Sequence, residues 1–391
     1  MQALLLAAEK FGTPLYAYEE ERLAASLAWW KRCMHGFDAH YALKANANPV
    51  LLDAIRRGGF MADAVSPLEV EQALRAGFPA AAITFTAHAP SQDDLALVHA
   101  RGVEITVDSV QALDRLAAVA PGARVGLRLN LGVGAGHHNH VVTGGRGVKF
   151  GIPRAELADA IAAVSNHGLE LAGLHQHIGS GILEAQSFLA GADALLEIAA
   201  PLARSLSFID FGGGFGIPYR PEEQALDLQQ LGEALRARVA AWRSAFGGSA
   251  IMRLQPGRIL VASAGTLLTR VIEVKRADGV SFVATDTGAH HLVRPMLYGA
   301  WHAVENLSRP QAPQMPVTLT GQLCESGDVL AVDRMLALPL AGDVLAIRDA
   351  GAYGYSMAST YNLRPRPAEV LLSDRGAELI RPRESPSSVL A

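Results

Sequence analysis

The sequence predicts an α/β chain: a (β/α)8 barrel of the TIM type, with a second, mainly β domain. Two observations predict it. Short apolar or β-branched runs end near Leu43, Val65, Thr86, Val107, Asn130, Gln176, Phe211 and Leu254, and Ala/Leu/Glu/Arg-rich stretches at helical spacing separate most of them. Past Gly265 the long helical stretches stop, and short strands between Gly, Pro and Asp turns replace them. Eight strands alternating with helices favour a closed parallel barrel over an open doubly wound sheet.

Taken in order, Met1–Lys10 carries a short apolar run without a basic leader or a cleavage motif, so it is not read as a signal peptide. Residues 1–35 form an N-terminal segment whose extended stretch Pro14–Tyr18 contributes to the β domain. Residues 36–264 form the barrel, with helices expected over Pro49–Arg57, Leu183–Arg204 and Leu226–Phe246. Residues 265–391 form the β domain, with strands expected over Thr266–Lys275, Ser281–Thr285, Val317–Gly321, Val344–Arg348 and Glu369–Leu372. A polar tail runs from Arg381 to Ser388.

The 391 residues, half of them hydrophobic and 18% charged, suffice for a large core. A net charge of −4 argues against a nucleic-acid surface, and no apolar stretch is long enough to cross a bilayer. Two cysteines, Cys33 and Cys324, make neither a disulfide framework nor a zinc cluster, and fit a reducing cytoplasm.

In parallel barrels the chemistry sits at the carboxyl ends of the strands. Lys44 follows the first strand, Asp63 and Ser66 the second, and His175, His177 and Ser180 the sixth. Gly212-Gly213-Gly214 follows the seventh and Gln255-Pro256-Gly257-Arg258 the eighth. Glycines let backbone N–H groups approach a phosphate closely, and barrel phosphate sites use the loops after strands seven and eight. A tight turn alone explains a glycine run about equally well; the position and Arg258 favour the phosphate. Lys44 lies among Ala42, Leu43 and Ala45, which implies a desolvated amine suited to attack an aldehyde. An aldehyde and a phosphate together point to pyridoxal phosphate.

His175 and His177 alternate on a strand and are open to a metal reading, but further carboxylate ligands are not evident. A flat imidazole stacked on a cofactor ring is the more economical role for His177. The histidines at 137, 138 and 140 read as solvated loop residues first and as a substrate gate second. In the β domain, Cys324 beside Glu325 and Asp328 has a thiol suited to proton donation.

Together these motifs resemble the alanine-racemase-fold decarboxylases, the pyridoxal-phosphate-dependent (fold type III) group acting on ornithine, diaminopimelate and arginine, and most closely its diaminopimelate branch. The resemblance runs through Tyr-Ala-Leu-Lys-Ala-Asn at 41–46, Gly-Ala-Gly-His-His at 134–138, Lys-Phe-Gly-Ile at 149–152, His-Ile-Gly-Ser-Gly at 177–181 and Gly-Gly-Gly at 212–214. It continues through Pro-Gly-Arg at 256–258, Arg-Pro-Met-Leu-Tyr-Gly at 294–299, Cys-Glu-Ser-Gly-Asp at 324–328, Asp-Ala-Gly-Ala-Tyr-Gly at 349–354 and Tyr-Asn-Leu-Arg-Pro-Arg-Pro at 361–367.

The resemblance implies a carboxy-lyase of lysine biosynthesis. Lys44 would carry the cofactor, His177 would stack on its ring, Asp63 would help orient it, and Ser180, Gly212–Gly214, Gly257, Arg258 and Tyr353 would surround its phosphate. Arg258, Arg294, Tyr298, Glu325 and Tyr353 would bind the substrate. Cys324 would return a proton after carbon dioxide leaves. The Cys324 and Tyr353 loops would come from the partner subunit of a homodimer with shared sites, and Lys149 would meet Asp328 across that interface.

Three places depart from the family. Gln255 stands where a glutamate is usual, which would weaken the support of a protonated cofactor ring. Phe85-Thr86-Ala87-His88-Ala89-Pro90-Ser91 replaces a Phe-Thr-Gly run followed by a basic residue and serine. Ser359-Thr360-Tyr361-Asn362 replaces Ser-Asn-Tyr-Asn. The alternatives are a decarboxylase of ornithine, lysine or a carboxylated siderophore or antibiotic intermediate, a racemase, a non-enzymatic cofactor carrier, and a metal-dependent hydrolase.

Overall fold

Each apolar run of the first two-thirds of the chain becomes a barrel strand because the intervening helices cover its outer face. In the computed structural model, which describes residues 1–132, 134–136 and 148–390, the strands are Asp38–Ala42, Met61–Ala64, Ile83–Phe85, Glu104–Val107, Arg124–Asn130, Glu170–Gln176, Phe208–Asp210 and Ile251–Leu254. Consecutive strands pair in parallel, and the eighth pairs with the first through Arg253↔Asp38 and Leu254↔Ala39, so the sheet closes. The sequence-based strand ends are therefore the barrel's strand ends. The histidines at 137, 138 and 140 lie outside the described residues.

Helix boundaries follow local chemistry. Pro49–Arg57 begins with Asn48 as N-cap, its side chain accepting the Val50 N–H, and Pro49 at the first turn. The segment expected over Leu183–Arg204 is helical only over Ala185–Ala199 and then tightens into a 3-10 turn at Ala200–Leu202, where Pro201 cannot donate. Leu228–Phe246 ends at Gly247, which takes the left-handed conformation of a helix C-cap. At the amino-terminal end of the barrel, Phe208 fills the interior. A Cβ on Gly173 would lie 2.6 Å from its ring, and Arg253 stacks on that ring at 4.0 Å while pairing with Glu104.

This barrel unit comprises Leu27–Ile217 and Gln224–Ile259; the second unit comprises Met1–Ser26, Pro218–Glu223 and Leu260–Ala391. The breaks thus fall after Ser26 and Ile259, where the sequence reading placed them at 35 and 264. In the second unit Leu15–Glu19 pairs antiparallel with Gly265–Ala277 and parallel with Ala368–Ser373. The helix Gln2–Phe11 buries Leu4, Ala7 and Ala8 against Leu15, Leu268, Val344 and Val370. Burying such side chains contributes about 1.5–3 kcal/mol for each Leu or Val.

Strands Val304–Asn306, Val329–Ala337 and Gly376–Arg381 were not expected from the sequence. The first is three residues long, and the last is an edge strand with no buried residue. The tail is ordered by Arg366, which donates to Glu384, and by Arg383, which donates to the Pro14 carbonyl. Among the described residues no helix is long and apolar enough to cross a membrane.

Candidate active site

Five of the barrel's loops bring their polar residues to one mouth. The first strand ends in a 3-10 turn over Leu43–Ala45, which buries Leu43 and Ala45 and turns Lys44 the other way. Its side chain is 37% exposed, so the desolvated setting inferred from its apolar neighbours is corrected: they line the opposite face. Its Nζ lies 4.0 Å from Asp63 Oδ2 at the end of the second strand. Asp63 is fully buried. Its Oδ1 accepts from Thr86 Oγ1 at 2.5 Å, and its Oδ2 has no hydrogen-bond partner among the described residues. Burial pushes the Asp63 carboxyl up, and Lys44 and Thr86 oppose that. Ser66, by contrast, is the N-cap of the helix Pro67–Arg75 and accepts the Glu69 N–H. Glu69 itself accepts the Val65 N–H, and burial raises its carboxyl to about 7.

At the end of the sixth strand the two histidines part company, His175 on the strand and His177 just after it. His175 Nε2 is 3.2 Å from Gln255 Oε1, while His177 Nδ1 accepts the Gly213 N–H at 3.2 Å. Burial, aided by Lys44, holds His177 well below the usual histidine range, so its ring is neutral. Among the described residues no three metal-ligating side chains cluster.

The glycine run divides the same way. A Cβ on Gly212 would lie 2.1 Å from the Gln176 carbonyl oxygen, and one on Gly213 would lie 2.1 Å from that of Gln255. Gly212 donates to Asp210 Oδ1 and Gly213 to His177. Those two amides serve the turn and leave the cradle to Gly214. Gly214 has φ +108°, and among the described residues its N–H has no such internal acceptor. Arg258 donates to Ser180 Oγ at 3.0 Å beside it, and Gly257 lets this loop approach Ala42 of the first strand and Ala45 of the turn after it.

Sequence reasoning missed the group around Gln255. Its Nε2 donates to Asp210 Oδ2 at 3.0 Å and reaches Asp63 Oδ1 at 3.5 Å, with its carbonyl on His175. That pattern fixes the orientation of the amide. Burial raises Asp210 to about 7. The signal was an aspartate directly after a buried Phe-Ile pair, and likewise Arg128 alone among apolar neighbours on the fifth strand.

The β-unit residues form a second group. Cys324 is exposed, and its N–H donates to Asn362 Oδ1 at 3.1 Å. Tyr361 donates to Glu325 Oε1 at 2.7 Å. Tyr353 and Asn362 both hold positive φ, +56° and +55°. Asp328 does not face outward, as a pairing with Lys149 requires. It is buried and accepts the Ala289 and Leu323 N–H groups, organising its own turn. Arg294 opens the short helix Arg294–Tyr298 and is 1% exposed. It donates to His302 Nε2 at 2.8 Å and lies 4.5 Å over the Tyr219 ring. His302 Nδ1–H donates to the Arg348 carbonyl, which leaves Nε2 as the acceptor.

The mouth fits a molecule with an aldehyde and a phosphate. It has an amine, a buried carboxylate oxygen without a donor, a neutral imidazole, and a glycine–arginine–serine corner. Comparison with known proteins agrees. Residues 20–262 match the family model described as pyridoxal-dependent decarboxylase, pyridoxal binding domain. The chain is 40% identical to the diaminopimelate decarboxylase of Methanothermobacter thermautotrophicus, over 98% of this chain and 92% of that one. It is 36% identical to that of Escherichia coli K12, over 99% and 95%. The crystal structure of the diaminopimelate decarboxylase of M. jannaschii in complex with L-lysine superposes with a TM-score of 0.91 at 31% identity, covering 99% of this chain and 93% of that one.

Proposed function

This chain belongs to the pyridoxal-dependent decarboxylases, and we propose that within them it converts meso-diaminopimelate to L-lysine and carbon dioxide. Its cofactor is pyridoxal 5'-phosphate, and its reaction class is that of a carboxy-lyase. The observation that carries the site assignment is Lys44 Nζ 4.0 Å from Asp63 Oδ2, a buried oxygen with no hydrogen-bond donor among the described residues, at the barrel mouth.

The residues divide the work. Lys44 holds the cofactor through its amine. Gly214, Ser180 and Arg258 take the phosphate, with Tyr353 completing that end. Neutral His177 packs against the ring face without adding charge. Asp63 supplies a negative charge next to the Lys44 nitrogen. The bound cofactor supplies the electron sink that accepts the pair released when the α-carboxylate leaves. Cys324 holds the proton returned to the α-carbon. The names of the full-length relatives support a substrate with a second carboxylate and a second amine. Arg294 with Tyr298 takes that carboxylate, and Glu325, oriented by Tyr361, takes that amine.

We place Cys324, Glu325 and Tyr353 in the site of a partner subunit, so the working unit is a homodimer. Activity in the cytoplasm accords with this reading.

The test is incubation of the purified enzyme with meso-diaminopimelate, ornithine and lysine separately, with carbon dioxide and amine products measured. Carbon dioxide and L-lysine from meso-diaminopimelate, with little release from the other two, is the expected result. Faster release from ornithine or lysine would move the assignment to another branch of the family.

A further inference from the structure

Residues 359–365 of the β unit enter the roles above only through Tyr361. The whole loop lies along residues 322–325, and side chains join the two in antiparallel register without a slip. Tyr361 donates to Glu325 Oε1 at 2.7 Å, Asn362 Oδ1 accepts the Cys324 N–H at 3.1 Å, and Arg364 donates to Gln322 Oε1 at 2.5 Å. Within its own turn the Cys324 loop is also fixed by Asp328, which accepts the Leu323 N–H at 2.8 Å. Two neighbouring amides thus go to two different acceptors, and the peptide that carries the thiol is held by both.

We propose that Asn362 is a positioning residue for Cys324: its side-chain oxygen sets where the thiol stands when a proton is returned to the α-carbon. In that step the Cys324 S–H bond breaks. Its proton joins the α-carbon on the electron pair left by carbon dioxide, and the thiolate regains a proton from water. The inference rests on the reading of Cys324 as the proton donor.

The backbone that presents Asn362 is strained. Asn362 and Leu363 both hold φ +55°, in a turn where the Arg364 N–H donates to the Tyr361 carbonyl at 3.4 Å. Asparagine tolerates that conformation and leucine seldom adopts it, so such a turn persists only where its surroundings hold it. Two consecutive buried histidines do so. The His290 carbonyl accepts the Ser359 N–H at 2.8 Å, and His291 Nε2–H donates to the Pro365 carbonyl at 3.1 Å. The loop is thus tied at both ends to one buried dipeptide, while its middle residues hold the Cys324 peptide. A single hydrogen bond contributes little net stability, because water competes for both partners. Three in one register, on a clamped turn, define a position for the thiol.

The test combines amide exchange and kinetics on the holoenzyme. Asn362→Gly keeps the left-handed backbone and removes the acceptor. Exchange of the Cys324 N–H, read by mass spectrometry with residue-resolving fragmentation, should speed up by about three- to tenfold, as for one ordinary hydrogen bond. The same variant should lose kcat by a similar factor and show a larger solvent deuterium isotope effect on kcat, because proton return becomes slower. Its KM should stay within about twofold of the parent value. Asn362→Asp keeps an acceptor in place, and its Cys324 amide should exchange as in the parent. Tyr361→Phe, which releases Glu325 alone, should raise KM and spare kcat. Unchanged Cys324 exchange in Asn362→Gly, faster exchange with kcat and the isotope effect unchanged, or the same kcat loss in Tyr361→Phe would overturn the inference. Should Asn362→Gly not fold, Asn362→Asp still decides: a fast-exchanging Cys324 amide there would show that the oxygen at 362 does not hold it. A Cys324→Ala enzyme with kcat unchanged would instead overturn the proton-donor reading, and the inference with it.

Discussion

Replacing Arg294 by methionine should remove about 2–5 kcal/mol of transition-state stabilisation toward a substrate with a second carboxylate, the range for losing one partner of a buried charge pair. The guanidinium is held in place before substrate arrives: His302 Nε2 accepts one N–H, and Tyr219 covers a face. A planar fork fixed this way meets a carboxylate at little entropic cost. The substitution also strands the His302 acceptor, so stability should fall by about 1–3 kcal/mol. The check is kcat/KM at a temperature where both proteins are folded and equally loaded with cofactor. A loss confined to stability, with kcat/KM unchanged, would remove Arg294 from the substrate site.

Replacing Gln255 by glutamate should make the stability of the cofactor-free protein newly dependent on pH. The Gln255 amide donates to Asp210 and reaches Asp63, both fully buried. A carboxyl there faces two others without a donor between them, so its folded pKa is raised above its unfolded value of about 4.3. A raised group binds its proton more tightly in the folded state. The variant therefore matches the parent at low pH and loses ground as pH rises through the folded pKa, by about 1.4 kcal/mol for each unit of displacement. Thermal unfolding of both proteins between pH 5 and 8 should show the gap widening by about 1–3 kcal/mol. A gap that stays constant with pH would mean that the side chain at 255 does not sit between the two acids.

That pair of acids also revises the significance of Gln255. From the sequence, the substitution looks like the loss of a negative charge near the cofactor ring. In the structure two buried acids, Asp63 and Asp210, lie within 3.5 Å of the amide.

The barrel could be read from the chain because every strand carries its own apolar run and every helix its own period; such signals are local. Lys44, Asp63, His177 and Arg258 could be placed at one end of the barrel because strand ends in a parallel barrel all open on one mouth. Asp210 and Arg128 were not singled out, because their meaning lies in which strands are neighbours. The glycine run illustrates the limit. Sequence shows three equivalent glycines, whereas the fold gives the amides of Gly212 and Gly213 to Asp210 and His177. In the β unit, Gly376–Arg381 escaped detection because an exposed edge strand carries no apolar alternation.

The central claim is that Lys44, at the end of the first barrel strand, carries the cofactor. Borohydride reduction of the yellow holoenzyme, followed by proteolysis and mass mapping, tests it most directly. The label should fall on the peptide containing Lys44, and Lys44→Ala should take no label there. A label on Lys10, Lys31, Lys149 or Lys275, or on no lysine, would contradict it.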